Sequence, residues 1–366
     1  MSKKFLYKDK KEAIEKHKNT EAPILDVIGF KYDLTPSYNK ESKVKITHEE
    51  NSETVKISDF DFNEIEINED FGLDEFYTSE VFGHYNCGKH IKVCKDKVLS
   101  SPILINFEMD DENNELLDVI YIDCEKNSES SIILNYNAKN GGNYYKNGVI
   151  IISLGENAKL NMIKIQNLGV SGNVFESVLV NNRRYSKMNY IALELGGGVN
   201  ALNFTGNLRG DYSELYVNVR YLTDLERKND FEYNINYYGK NCIGRLDARG
   251  IVSNFGKKVF KDNLKFLEGS KKSVGSEKET CILFDKDVVS RSIPTLFCEE
   301  DDIEGEHGAS VGSLDKKKLF YMETRGINKQ DARKLIAFSV FKPEIETIMD
   351  ESIKENLFEE LKRRIG

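Results

Sequence analysis

The sequence predicts a mainly β protein: a β-solenoid core closed by a C-terminal α-helical domain. Two observations carry this. From about Thr54 to about Ser310 the chain is a long series of short segments rich in β-branched and aromatic residues, punctuated by Gly, Asn and Asp, with almost no helical periodicity. The last fifty-odd residues then switch to apolar spacing of the helical kind in a strongly charged background. Three regions follow: an N-terminal segment, partly helical, over 1–52; the β core over 53–312; and the helical domain over 313–366.

The opening MSKKFLYKDKKEAIEKHK alternates charge in a helical manner and has no apolar run of the kind that makes a secretory signal, so a cytoplasmic location is expected. In the β region Leu215, Val217, Val219 and Tyr221 alternate with polar neighbours, as do Leu202 with Phe204 and Leu264 with Phe266. Such strands need a shared core. Gly155, Gly169, Gly196–Gly198, Gly206, Gly210, Gly250, Gly256 and Gly269 fall between segments, where a chain that turns often is expected to use positive φ. The run is too long for one sandwich and lacks the helices of a doubly wound sheet, whereas a solenoid buries each coil against its neighbours without a strict motif.

At the C-terminal end Ser313 and Asp315 are cap candidates before Leu319, Phe320 and Met322, and Gly326 is placed to end that helix. Asn328 with Asp331 opens a second helix carrying Ala332, Leu335, Ile336 and Phe338, expected to stop near Lys342-Pro343. Ile345, Ile348, Met349, Ile353, Leu357 and Leu361 form the apolar stripe of a third. Spacing alone does not say whether that stripe packs on its own domain or on a partner.

The net charge of −9 argues against nucleic-acid binding, which needs cations on many phosphates, and no apolar stretch reaches the length of a membrane span. Six cysteines scattered through a long chain are expected to be reduced and mostly buried. Gly83-His84-Tyr85-Asn86-Cys87-Gly88-Lys89-His90 imitates a phosphate loop, but His90 replaces the hydroxyl that holds Mg²⁺. His84, Cys87, His90 and Cys94 have zinc-ligand chemistry, yet an extended His90–Cys94 stretch spreads its ends about 13 Å apart at roughly 3.3 Å per residue. The acidic run Glu299-Glu300-Asp301-Asp302, with Glu304 and Glu306, reads as a solvated loop. No nucleophile triad, HExxH or CxxC is present, so an enzyme is not expected.

The specific signal lies at 294–327: Pro294-Thr295-Leu296, Asp301-Asp302-Ile303, Glu306-His307-Gly308-Ala309-Ser310-Val311-Gly312, Leu319-Phe320-Tyr321 and Thr324-Arg325-Gly326-Ile327. This resembles the C-terminal signature of the SufB/SufD family of iron–sulfur cluster assembly scaffolds. Leu154-Gly155-Glu156-Asn157-Ala158-Lys159-Leu160, Ile165-Gln166-Asn167 and Gly256 through Gly275 resemble further family segments. The resemblance implies a right-handed parallel β-helix, pairing through that β-helix with a SufB-like chain or with a second copy, and docking of a SufC-type ATPase on the C-terminal helices. It implies no tightly bound cofactor in the isolated chain and a transient Fe–S cluster in the assembled complex.

The resemblance names His307 as a cluster-assembly candidate; Cys298 and Cys281, soft ligands near it in the sequence, and the adjacent Glu306 are further candidates, and Leu319, Phe320, Tyr321, Arg325, Leu335 and Phe338 are candidates for partner binding. Where SufB-type chains carry cysteines this chain has Glu279 and Val288, and Gly308 replaces their acidic residue, so the likeness is to SufD. Gly305 stands where SufD proteins often have a cysteine. Two rival readings are a β-helix carbohydrate-active enzyme, weakened by the absence of tryptophan, and a self-sufficient homodimeric scaffold.

Overall fold

In the computed structural model, which describes residues 7–25, 30, 31, 38, 43–47, 52–65, 71–139 and 142–365, strands from Cys87–Val93 onward go alternately to two nine-stranded sheets. Within each sheet the neighbours are parallel and in continuous register from coil to coil, as between Asn173–Asn182 and Val199–Leu208. This is the expected solenoid. Among the described residues of these two sheets the antiparallel pairs lie at one end: Val44–Thr47 pairs with Ile103–Met109, and Val55–Asp59 with Cys87–Val93. The other end stops at Val289–Cys298 in one sheet and Glu304–Ser313 in the other.

The coil has a hidden period. Asp96, Asn127, Asn157, Tyr185, Tyr212, Asn241 and Lys272 all have positive φ and recur every 27–31 residues, one per coil at the same corner. The expectation that glycines supply this conformation is corrected: of the glycines singled out, only Gly197 and Gly269 have positive φ. Most of the others answer to space. A Cβ on Gly210 would lie 2.0 Å from the backbone nitrogen of Arg184 in the coil beneath, so that corner closes only without a side chain.

Inside the lumen, stacked rungs of Ile, Leu, Val and aromatic residues form the main core, among them Ile120, Ile150, Val178, Phe204, Tyr233 and Phe260. Adjacent coils sit about 4.8 Å apart, so each side chain touches the equivalent residue above and below. Two charged clusters interrupt this core. In the first, Lys146 reaches Glu176 at 2.5 Å and Asp118 at 3.6 Å, Lys164 bridges Glu176 and Glu194, and Tyr136 donates to Asp118 at 2.8 Å. In the second, Lys258 pairs with Glu279 and donates to Ser292 at 3.2 Å. Tyr221 lies across Gly250, where a Cβ would meet its ring at 2.0 Å, and donates to Glu279 at 2.6 Å.

Helices cover the outer faces. Helix α1 (Lys10–Lys18), capped by Asp9, packs on α2 (Glu75–His84), where Gly83 lets Ile14 approach. Helix α2 lays Val81 and Phe82 on Val119, Val149, Ile151 and Leu179 of one sheet. Its buried Glu80 accepts from Tyr145, Asn147 and Tyr38, while burial raises its pKa.

At the C-terminus α3 (Lys316–Thr324) ends before Gly326 at φ +83°, and α4 (Lys329–Ile345) is capped by Asn328, which accepts from the Asp331 N–H. The expected stop at Lys342-Pro343 is corrected: α4 runs through Pro343 to Ile345. Glu344 and Ile345 are buried there, Glu344 on Arg220 and Ile345 on the sheet. A proline in the last turn removes only one hydrogen bond, which this docking outweighs. Helix α5 (Glu351–Ile365) carries Ile353, Leu357 and Leu361; Ile345 belongs to α4, and Ile348 and Met349 to the connection.

The apolar stripe packs at home. Ile345, Ile348, Ile353, Leu357 and Leu361 lie on Ile133, Ile163, Ile165, Leu193, Leu222 and Ile251 of the second sheet. Arg364 fixes the end of α5 by donating to Asp224 at 3.1 Å and to the Leu195 carbonyl. Among the described residues no helix is long and apolar enough to cross a membrane.

Candidate functional site at the open end

Side chains alternate along a strand, so one inward residue fixes the rest. Leu246 and Ala248 belong to the lumenal core and pair in register with Glu277 and Glu279, which places Glu277, Glu279 and Cys281 inward. Their partners on the last strand, Glu304–Ser313, are His307, Ala309 and Val311, so His307 faces the lumen at its open end. Glu306 faces the other way. Cys298 pairs with the core residue Phe266 and is therefore also on the inner side, exposed at the mouth.

The mouth is open because no further coil covers it. Glu304–Ser313 is exposed along most of its length, and nothing lies within 4 Å of where a Cβ on Gly308 or Gly312 would be. His307 is 47 % exposed and its Nδ1 lies 3.7 Å from Oε1 of Glu277, whose side chain is fully buried. Neither oxygen of Glu277 has a hydrogen-bond partner, and neither side-chain oxygen of Asp262 has one. Burial, with the charge of Asp262 adding to it, pushes Glu277 up to about 9. Burial and then the Glu279 charge push Asp262 up to about 7. Cys281 accepts from Ser290 at 3.4 Å, and burial raises its thiol.

These candidates do not converge within one chain. Cys281 pairs with Val311, four residues along the strand from His307, which separates the two by about 13 Å at roughly 3.3 Å per residue. Among the described residues no three of His, Cys, Asp or Glu form a group able to hold a metal ion. The earlier set is spread likewise: His84 stacks on Tyr38 at the end of α2, His90 stacks on Tyr121, and Cys87 is in the lumenal core. The Gly83–His90 loop runs from helix to strand, the reverse of a phosphate loop. In the acidic run Glu300 accepts from the Gly269 N–H at 3.1 Å.

Of the partner-binding candidates, Phe320 and Tyr321 on α3 are 68 % and 61 % exposed, and Leu335 on α4 is exposed too. Arg325 lies over the Tyr321 ring at 5.4 Å. Leu319 is half-buried, and Phe338 is turned inward, edge-on to Phe358. The sequence reading missed Glu277, Asp262 and Lys258. Charged residues in the inward phase of a strand read as its solvent face, and only the register of the flanking coils reveals their side. A cavity of about 610 Å³ beside α2, lined by Asp74, Thr78, Asn203 and Asn236 among others, shares no residue with this end.

A parallel solenoid with one antiparallel end, one open end bearing a histidine, and a helical C-terminal segment defines the class. Residues 107–340 match the family model of the SUF system FeS cluster assembly SufBD core domain, and the chain belongs to that family. Within it the chain is similar to the iron–sulfur cluster assembly protein SufD of Escherichia coli, 24 % identical over 322 residues that cover 82 % of this chain and 74 % of that protein. It is likewise similar to SufD of Bacillus subtilis, 23 % identical over 286 residues, 76 % of this chain and 64 % of that protein. It is thus a SufD-like member of the SUF iron–sulfur assembly system.

Proposed function

We propose that this chain is the non-ATPase scaffold subunit of a SUF-type assembly complex in the cytoplasm. It pairs through the open end of its solenoid with a SufB-like chain or a second copy, and it docks a SufC-type ATPase on α3 and the exposed side of α4. The cluster is built transiently at the joint, with His307 contributing from this side and Cys298 and Cys281 close to the mouth.

The observation that carries this reading is the uncapped last coil. It leaves an inward-facing histidine half-exposed, together with two unpaired strand edges, a surface that a partner strand can complete. The scattered ligand types support it, since a site with too few groups in one chain is completed by another. The test is co-expression with a SufB-like chain and a SufC-type ATPase, followed by purification and anaerobic reconstitution. A ternary complex that accumulates iron and sulfide, and loses both when this chain is omitted, is the expected result. Recovery of this chain alone, with neither partner retained, overturns the reading. A stable complex of two copies with the ATPase, active without the SufB-like chain, selects the homodimeric form.

A further inference from the structure

We propose that Glu277 is the positioning residue for His307: its carboxyl, on the neighbouring rung, hydrogen-bonds the imidazole at Nδ1 and leaves Nε2 for the open end. The functional meaning of this rests on the reading of His307 as an assembly residue; the contact itself does not.

Three observations point to it. His307 and Glu277 are direct partners in register, so their Cβ atoms stack on one face. The approach is between Nδ1 and Oε1 at 3.7 Å, just beyond hydrogen-bond length, with the imidazole half-exposed. The Glu277 carboxyl, buried and without a hydrogen-bond partner, is otherwise a liability, because a polar group removed from water needs one.

The neighbouring donors are engaged elsewhere, the Tyr237 hydroxyl on the Gly244 carbonyl at 3.0 Å. Lys258 is engaged with Glu279 and Ser292, the Tyr221 hydroxyl donates to Glu279, and Asp262 is a second carboxyl that cannot neutralise the first. An apolar side chain at 277 would fit the core cluster better. A carboxyl held there against stability, beneath the one histidine of the mouth, has the placement of the groups that fix the far nitrogen of a ligating or proton-relaying imidazole.

The test uses the full chain, whose five histidines give few enough imidazole signals to assign His307 by its alanine variant. Imidazole ¹⁵N and ¹³C shifts and ring order are compared in the parent, Glu277→Gln and Glu277→Leu. Glu277→Leu is expected to move the Nδ1 shift of His307 and to loosen the ring, while Glu277→Gln, which keeps a hydrogen-bonding group, moves it less. Glu277→Leu is also expected to raise the melting temperature by roughly 2–4 °C, because a buried carboxyl whose desolvation a single bond to a half-exposed imidazole does not repay is replaced by a hydrophobe of similar size. Cluster content of the reconstituted complex should fall about tenfold.

Unchanged His307 signals in both variants overturn the proposal, and a lower melting temperature with unmoved signals assigns Glu277 to the fold. If Glu277→Leu does not fold, the ring measurement on Glu277→Gln decides. Signals that move while cluster content stays full leave Glu277 as the residue that sets the ring, and what fails is the role of His307 in assembly.

Discussion

At the scale of the residue, His307 is placed by strand alternation and by the register of one ladder, and its exposure comes from the missing coil above it. Because its side chain packs under nothing and offers at most the bond to Glu277, His307→Ala is expected to change the unfolding free energy by no more than about 1 kcal/mol. Partner binding should persist, while iron and sulfide content of the reconstituted complex drops sharply. A fully loaded His307→Ala complex would return this residue to the fold.

Asp262 makes a pH prediction. Its folded pKa of about 7 lies above the ordinary carboxyl value because burial disfavours the charge, so the native state binds a proton that the unfolded chain has released. The stability from that proton is complete below the unfolded value near 3.8 and is lost as pH rises through 7. Between pH 6 and 8 the share of the loss from Asp262 is roughly 1 kcal/mol, added to that from Glu277, and Asp262→Asn should make the decline shallower in denaturant titrations at the two pH values. The sequence singled out His307 through a motif and Cys281 only as a soft ligand near it, but not Asp262 or Glu277, since which face a charged residue takes is decided by the coils on either side.

Among the elements, the C-terminal helices divide the work. Helix α5 and the buried side of α4 serve this chain's own sheet, whereas α3 presents Phe320 and Tyr321 to solvent. Truncation at 313 would uncover Ile133, Ile163 and Leu193, so point changes separate docking from folding. Phe320→Asp with Tyr321→Asp is expected to abolish co-purification with the ATPase at unchanged melting temperature. Leu357→Ala, which empties a packed site, should cost about 2–5 kcal/mol in unfolding while the α3 surface is intact. Loss of ATPase binding in Leu357→Ala alone would move the docking face to α5.

Helix caps were readable here because Asn328 and Gly326 act locally. The end of α4 was not, because Glu344 is held by Arg220, distant in sequence. The coil period escaped for a similar reason: its marker is a backbone conformation carried by Asp, Asn, Tyr and Lys in turn, a property of position with no residue type of its own.

Over the whole molecule, the lumen carries charges that a hydrophobic solenoid would do without. Lys164 sits between Glu176 and Glu194, and Lys164→Met leaves buried Glu194 without its lysine and Glu176 with Lys146 alone, an expected loss of about 3–5 kcal/mol in equilibrium unfolding. A variant as stable as the parent would show that water reaches this cluster. On the outside of the last coil, Val289, Ile293 and Phe297 leave an apolar stripe exposed along Val289–Cys298. Ile293→Lys with Phe297→Lys should weaken pairing in sedimentation experiments while the monomer stays folded.

The two ends of the solenoid differ in kind: antiparallel strands cross one, and the other stops on bare parallel edges. A stack of coils open at both ends would be a monomer with two growing tips, able to add copies without limit as cross-β fibrils do. If pairing runs through the parallel tip as proposed, two such tips consume each other's edges, and growth through them terminates at the first step.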